Sequence, residues 1–172
     1  MWFTSDNAGP AAPEIMDAMM QANTIYSQSY GADPIMDRVR DKIRDIFEAP
    51  DAAVYLVSTG TAANSLALAS MVQPWQTVYC HRHAHIQEDE CGAPEFYTGG
   101  AKLTLLDGAD AKIDLASFEK AVAETGQVGV HNVQKGALSI TTATENGAVY
   151  TLAEIEALST VAKSNDIPVH LD

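Results

Sequence analysis

The chain has 172 residues, 47% of them hydrophobic and 19% charged, with a formal net charge of -13. That balance predicts a globular protein with a real core rather than a disordered segment, and so acidic a surface disfavours nucleic acid and anionic membranes as partners. "MWFTSDNAGP" has no basic region followed by an apolar stretch, and two cysteines, Cys80 and Cys91, make no disulfide framework; both point to a cytoplasmic protein.

In chain order, "PEIMDAMMQAN" opens with Pro13 at a first helical position and repeats apolar residues at Ile15, Met16, Met19 and Met20, which predicts a helix. The polar, aromatic-bearing "TIYSQSYGADP" reads as a connection. "DPIMDRVRDKIRDIFEAP" predicts the clearest helix of the chain. Asp33 can cap it, Pro34 fits its first turn, and Met36, Val39, Ile43, Ile46 and Phe47 form one stripe. Strands over 53–58 ("AVYLVS"), 77–81, 102–107, 136–141 and 167–171 then alternate with helices over 61–72, 115–124 and 151–165, the last capped by Thr151. Residues 52–80 carry no charge, but Ser58, Thr59, Gly60, Thr61, Asn64, Gln73 and Pro74 divide them into strand, turn and helix rather than a membrane span. Apolar strands alternating with amphipathic helices predict an α/β fold, a mainly parallel sheet with helices on both faces. The expected organisation is an amino-terminal helical segment with a loop over 1–50, then an α/β domain over 51–172.

Ligands of such sheets sit at the carboxyl ends of the strands, where three features fall. In "STGTAANSLAL" a strand ends, Gly60 allows a tight turn and a helix starts near Thr61, so free backbone N–H groups and the positive end of the helix dipole can take a phosphate. The same residues also read as a plain turn with a Thr cap, since the spacing matches neither a Walker loop nor a dinucleotide fingerprint. In "CHRHAHIQEDEC", three of the five histidines, His81, His83 and His85, lie two apart and would share one face of an extended strand. They could ligate a metal in a hydrolase, as imidazoles and carboxylates suit zinc or iron; one could lie against a flat ligand ring, or the stretch could be a solvated polar loop. Asp172 ends the final strand. A carboxylate there is costly to bury alone and reads either as a cap or solvent-facing residue or as an acceptor for a cationic ring N–H.

In this order, "SDNAGPAAPEIMDAM", "YGADPIMDRVRDKIRDIF", "STGTAANSLAL", "AHIQEDECGA" and "IPVHLD" resemble the low-specificity threonine aldolases and their beta-eliminating lyase relatives. These are pyridoxal-phosphate enzymes of the aspartate-aminotransferase-like fold. The resemblance runs along nearly the whole chain and implies the amino-terminal portion of such an enzyme, with an incomplete large domain. It implies a carbon–carbon lyase that splits a beta-hydroxy-alpha-amino acid into glycine and an aldehyde; another beta-eliminating lyase or an aminotransferase of the same fold is the alternative. It also assigns roles. Gly60, Thr61 and Ala62 would hold the cofactor phosphate, His85 would stack on the pyridine ring and polarise the substrate hydroxyl, and Asp172 would keep the ring nitrogen protonated. Ser5, with Asn7 close by, would bind the substrate carboxylate. Tyr30 would belong to a loop reaching a site shared between subunits of a homodimer or homotetramer, and Glu88 would handle a proton or water.

The sequence departs from that pattern in two places. In the family, "HLD" leads into a Gly-Ala-Arg segment whose Arg grips the substrate carboxylate, then to the Schiff-base lysine and a small carboxyl-terminal domain. None of Lys42, Lys102, Lys112, Lys120, Lys135 and Lys163 matches that lysine, so the expectation is a longer protein. Many relatives also carry a Thr-His pair near "SITTATENGAVY", where this chain has Thr141, Thr142 and Ala143 and no histidine. His131 is a candidate replacement.

Overall fold

The computed structural model describes residues 8–172, so the expected substrate residues Ser5 and Asn7 lie outside the described residues. The chain divides into two compact units, Met1–Leu56 and Val57–Asp172.

In the first unit, helix α1 spans Pro13–Ala22 and helix α2 spans Pro34–Ile46. Asp33 caps α2 as its sequence predicts: Oδ1 accepts from Ile35 N at 2.9 Å and Met36 N at 3.0 Å. Tyr30 and Gly31 both adopt left-handed backbone, with φ of 62° and 71°. The turn they make is held by Arg40, which donates to Gly31 O and pairs with Asp37. The Tyr30 side chain is exposed.

The second unit is a sheet of four parallel strands: β1 (Gln76–His81), β2 (Lys102–Leu106), β3 (Gln134–Ile140) and β4 (Val169–Leu171), in the order β2-β1-β3-β4. Its helices are α3 (Gly60–Met71), α4 (His85–Glu88), α5 (Ala93–Tyr97), α6 (Leu115–Glu124) and α7 (Leu152–Lys163). Side chains alternate across β1 and feed two cores. Val78 and Cys80 join Leu68, Val72, Ile86 and Ala137 on one face. Tyr79 joins Leu138, Ile140, Phe118, Val122 and Leu158 on the other, with its ring edge-on to Phe118 at 5.5 Å. So α3 covers one face and α6 and α7 the other, and the predicted fold class holds.

Between β1 and β3 the register slips, with Thr77 opposite Lys135 and Val78 opposite Ala137. Gly136 is the extra residue of this bulge. A Cβ there would stand 2.3 Å from the Thr77 carbonyl oxygen, so only glycine lets the strands approach this closely.

Two sequence expectations fail. The predicted strand over 53–58 forms no ladder, and Tyr55, Leu56 and Val57 are exposed. An apolar run becomes a strand only where another strand takes its hydrogen bonds, and none of the described residues does so. The three alternating histidines do not share a strand face either. His81 ends β1, His83 lies in a turn, and His85 begins α4, so the two-residue period is lost at the first of them.

Candidate active site

The strand order reverses at β1, with β2 on one side and β3 on the other. The loops leaving β1 and β3 therefore diverge and open a crevice at their carboxyl ends. Every group described below lies in the Val57–Asp172 unit.

His81 is buried and spent on structure. Its Nδ1 accepts from His83 N at 3.1 Å, and Nε2 faces Gly108 O at 3.2 Å, so Nε2 carries the proton. Burial pushes its pKa down, keeping the ring neutral. His83 is exposed and pairs with Glu88 at 2.7 Å. The three imidazoles therefore do not converge on one point, which removes the geometric basis of the alternative reading in which His81, His83 and His85 ligate a metal. Glu88 faces His83 at the surface.

His85 is different. Nδ1 lies 3.0 Å from Glu145 Oε1 and 3.9 Å from Asp89 Oδ2, and Nε2 lies 3.8 Å from Glu90 Oε1. Glu145 arrives from the turn after β3. That turn is pinned by Thr144 N to Ala148 O, Gly147 N to Thr144 O and Thr144 Oγ1 to Asp110 O. Partial burial lowers the pKa of His85, but the Glu145 hydrogen bond and the charges of Asp172, Glu145 and Glu90 outweigh it, and the net direction is up.

Glu90 is buried. The left-handed pair Cys91 and Gly92, with φ of 51° and 73°, turns the chain between α4 and α5 directly after it. Asn64 of α3 donates to Glu90 Oε1 at 2.9 Å, while Oε2 is buried without a partner among the described residues. Burial is the largest cause raising its pKa, Asp172 adds to it, and the Asn64 and Thr61 bonds and His85 oppose it. Neither Glu90 nor Glu145 stood out in the sequence. The only signal was a carboxylate in each loop leaving β1 and β3.

Asp172 is tied at the tip of β4, its N–H donating to Ile140 O and its own carbonyl accepting from Thr142 N. It is partly buried and lies close enough for its charge to act on His85 and Glu90. His170, beside it, is buried and bonded to Ser139 Oγ at 2.9 Å, and burial lowers its pKa. Cys80 is no nucleophile, because burial and Glu95 push its thiol up to about 12.

At the start of α3, Thr59 Oγ1 accepts from Ala62 N at 3.1 Å. Gly60 and Thr61 thus present N–H groups that the helix itself leaves without acceptors, and a Cβ placed on Gly60 would meet nothing within 4 Å. Open donors at a dipole's positive end, with an imidazole and a carboxylate at the neighbouring strand tips, fit a phosphorylated, cationic heteroaromatic ring such as pyridoxal phosphate. The carboxylate, that of Asp172, is set by the sheet itself, and the imidazole, that of His85, by the start of α4.

Comparison with known proteins agrees with this architecture. The beta-eliminating lyase family model matches residues 3–172, and the chain belongs to that family. It is 38% identical over 170 residues to the low specificity L-threonine aldolases of Pseudomonas sp. (strain NCIMB 10558) and Pseudomonas aeruginosa, matching 99% of this chain and 48% of each of theirs. Among solved structures, the Leishmania major threonine aldolase superposes with a TM-score of 0.88 at 30% identity, over 96% of this chain and 47% of that one. The fold is therefore that of the aspartate-aminotransferase-like enzymes, and the chain spans about half the length of the relatives it matches.

Proposed function

We propose that this chain supplies part of a pyridoxal-phosphate-dependent lyase that cleaves a threonine-like beta-hydroxy-alpha-amino acid into glycine and an aldehyde. The observation that carries this reading is the gathering of His85, Glu90, Glu145 and Asp172 around one crevice. The kinship with threonine aldolases supports the choice of substrate. When bound, the cofactor supplies an electron sink for the bond between the alpha and beta carbons.

The chain's own residues would do the rest. Gly60 and Thr61 hold the phosphate through backbone N–H groups; Ala62, whose N–H is already given to Thr59, closes the turn around it. Asp172 accepts the ring N–H, a charge-assisted bond that keeps that nitrogen protonated. His85 lies against the ring face and takes up the proton of the substrate's side-chain hydroxyl, directly or through a water it orients. Ser5 and Asn7 bind the substrate carboxylate, and Tyr30 serves a site shared between subunits of a homo-oligomer. Glu88, spent on His83, yields the proton-handling role to the buried Glu90.

The test is a titration of the purified protein with pyridoxal phosphate, followed by incubation with L-threonine and L-allo-threonine and assay of glycine and acetaldehyde. Equimolar release of both supports the reading. Cofactor binding with release only from substrates bearing a beta leaving group would assign the protein to another beta-eliminating lyase activity. Transamination alone would make it an aminotransferase.

A further inference from the structure

The crevice holds two carboxylates on opposite sides of one imidazole, and their distances differ in kind. Glu145 Oε1 stands 3.0 Å from His85 Nδ1, within hydrogen-bond reach, and Glu90 Oε1 stands 3.8 Å from Nε2, outside it. An ionised carboxylate only accepts, so the contact at Nδ1 requires a proton on that nitrogen. One ring nitrogen is thus spent and the other is not. The loop that delivers Glu145 is the one in which the family resemblance leads one to expect a second histidine.

We infer that Glu145 is a positioning residue for His85: reaching across from the turn after β3, it fixes the ring's rotamer and places the proton on Nδ1, leaving Nε2 as the working nitrogen. This rests on the reading of His85 as the group nearest the substrate hydroxyl. A carboxylate holding one nitrogen of a catalytic imidazole does two things at once. It selects the tautomer, and it stabilises the charge that forms when the other nitrogen takes a proton. The geometry supplies the parts for both. The turn carrying Glu145 is anchored by Thr144 at three points, so the carboxylate is presented rather than free to sweep. Asn64 holds Glu90 from α3, which keeps that side chain at its distance from Nε2. The charged groups facing the ring are Glu145, Asp89, Glu90 and Asp172. Of these only Glu145 reaches a ring nitrogen at hydrogen-bond distance.

The experiment is nitrogen and carbon NMR of histidine-labelled holoenzyme, with the His85 signal assigned by its loss in His85→Asn. In the native protein, neutral His85 carries its proton on Nδ1, against the usual preference of free imidazole. In Glu145→Ala the ring reverts to the Nε2-protonated form and titrates at lower pH. In Glu145→Gln the tautomer survives, because the amide oxygen still accepts, but the titration moves down; Glu145→Asp restores part of it. Glu124→Gln, at the exposed end of α6, leaves both readouts where they were. In parallel, kcat of Glu145→Ala falls about tenfold or more with KM far less affected, and the limb of the pH profile governed by His85 moves the same way as its titration.

An unchanged tautomer and titration in Glu145→Ala would overturn the assignment. So would altered NMR signals with an unchanged kcat and pH profile. If the native holoenzyme cleaves no beta-hydroxy amino acid, the proposed function falls, and the tautomer measurement still decides what Glu145 does to His85.

Discussion

The position of Asp172 at the tip of the last strand is legible in sequence, while its neighbourhood is not. A carboxylate there is costly to bury without a partner, which leaves open a cap, solvent or a cationic ring as what meets it. What spacing could not reveal is that Glu145 lies beside His85, sixty positions away, because that contact passes through the pairing of β1 with β3. The same holds for Glu90, whose anchor Asn64 comes from α3. The histidine triplet misled for the opposite reason. Its regular spacing suggested a strand that had already ended at His81. At this scale the expected outcome concerns Asp172→Asn. On the proposed function, replacing the carboxylate with an amide would remove a charge-assisted hydrogen bond worth about 1.5–3 kcal/mol, so pyridoxal phosphate should bind roughly ten- to a hundredfold more weakly by absorbance titration. Unchanged affinity would mean that the ring nitrogen does not meet Asp172.

Among the elements, α6 and α7 show what local rules suffice for. The sequence predicts a helix over 115–124, and α6 spans Leu115–Glu124. α7 begins where Thr151 can cap it, and the cap is reciprocal: Thr151 Oγ1 accepts from Glu154 N while the Glu154 carboxylate accepts from Thr151 N. The 53–58 segment is the counter-example, since a strand depends on a partner and a helix does not. Thr151→Ala should destabilise the protein by about 1 kcal/mol, seen as a lower denaturation midpoint at unchanged slope. The cap also predicts an acid response. The Thr151 backbone N–H, then Lys112, then the Thr151 hydroxyl hold the Glu154 carboxyl down from 4.5 to about 2. A depressed carboxyl contributes stability that is complete above its unfolded value and disappears as pH falls through its folded one. That contribution should therefore drain between about pH 4.5 and about pH 2, and Thr151→Ala should narrow the window. An equal acid response in the variant would show that the residue-151 backbone N–H and Lys112 set it without the hydroxyl.

Taken as a whole, the chain carries a net charge of -13, and this sets two terms against each other. Surface ion pairs such as Arg82–Asp107 and Lys120–Glu124 join partly or largely exposed side chains and are worth little each. Self-repulsion among the excess carboxylates acts over the entire surface. Repulsion should dominate, so the thermal midpoint should rise as ionic strength goes from about 0.01 M to about 0.15 M, where the Debye length shrinks from roughly 30 to 8 Å. A falling midpoint would show that the ion pairs matter more than the surplus charge. No helix among the described residues is long and apolar enough to cross a membrane.

The strand order β2-β1-β3-β4 also carries a timetable. On the ribosome β1 is made before β2 and long before β3, yet it ends up between them. As each strand pair is parallel, none can close as a hairpin, and each must wait for a whole crossover to be synthesised. The nascent chain therefore first joins β1 to β2 and then holds the other edge of β1 open until Gly136 and its neighbours emerge. For that interval a strand that ends up buried between two neighbours is an open edge, the point at which a chaperone or a wrong partner would find it.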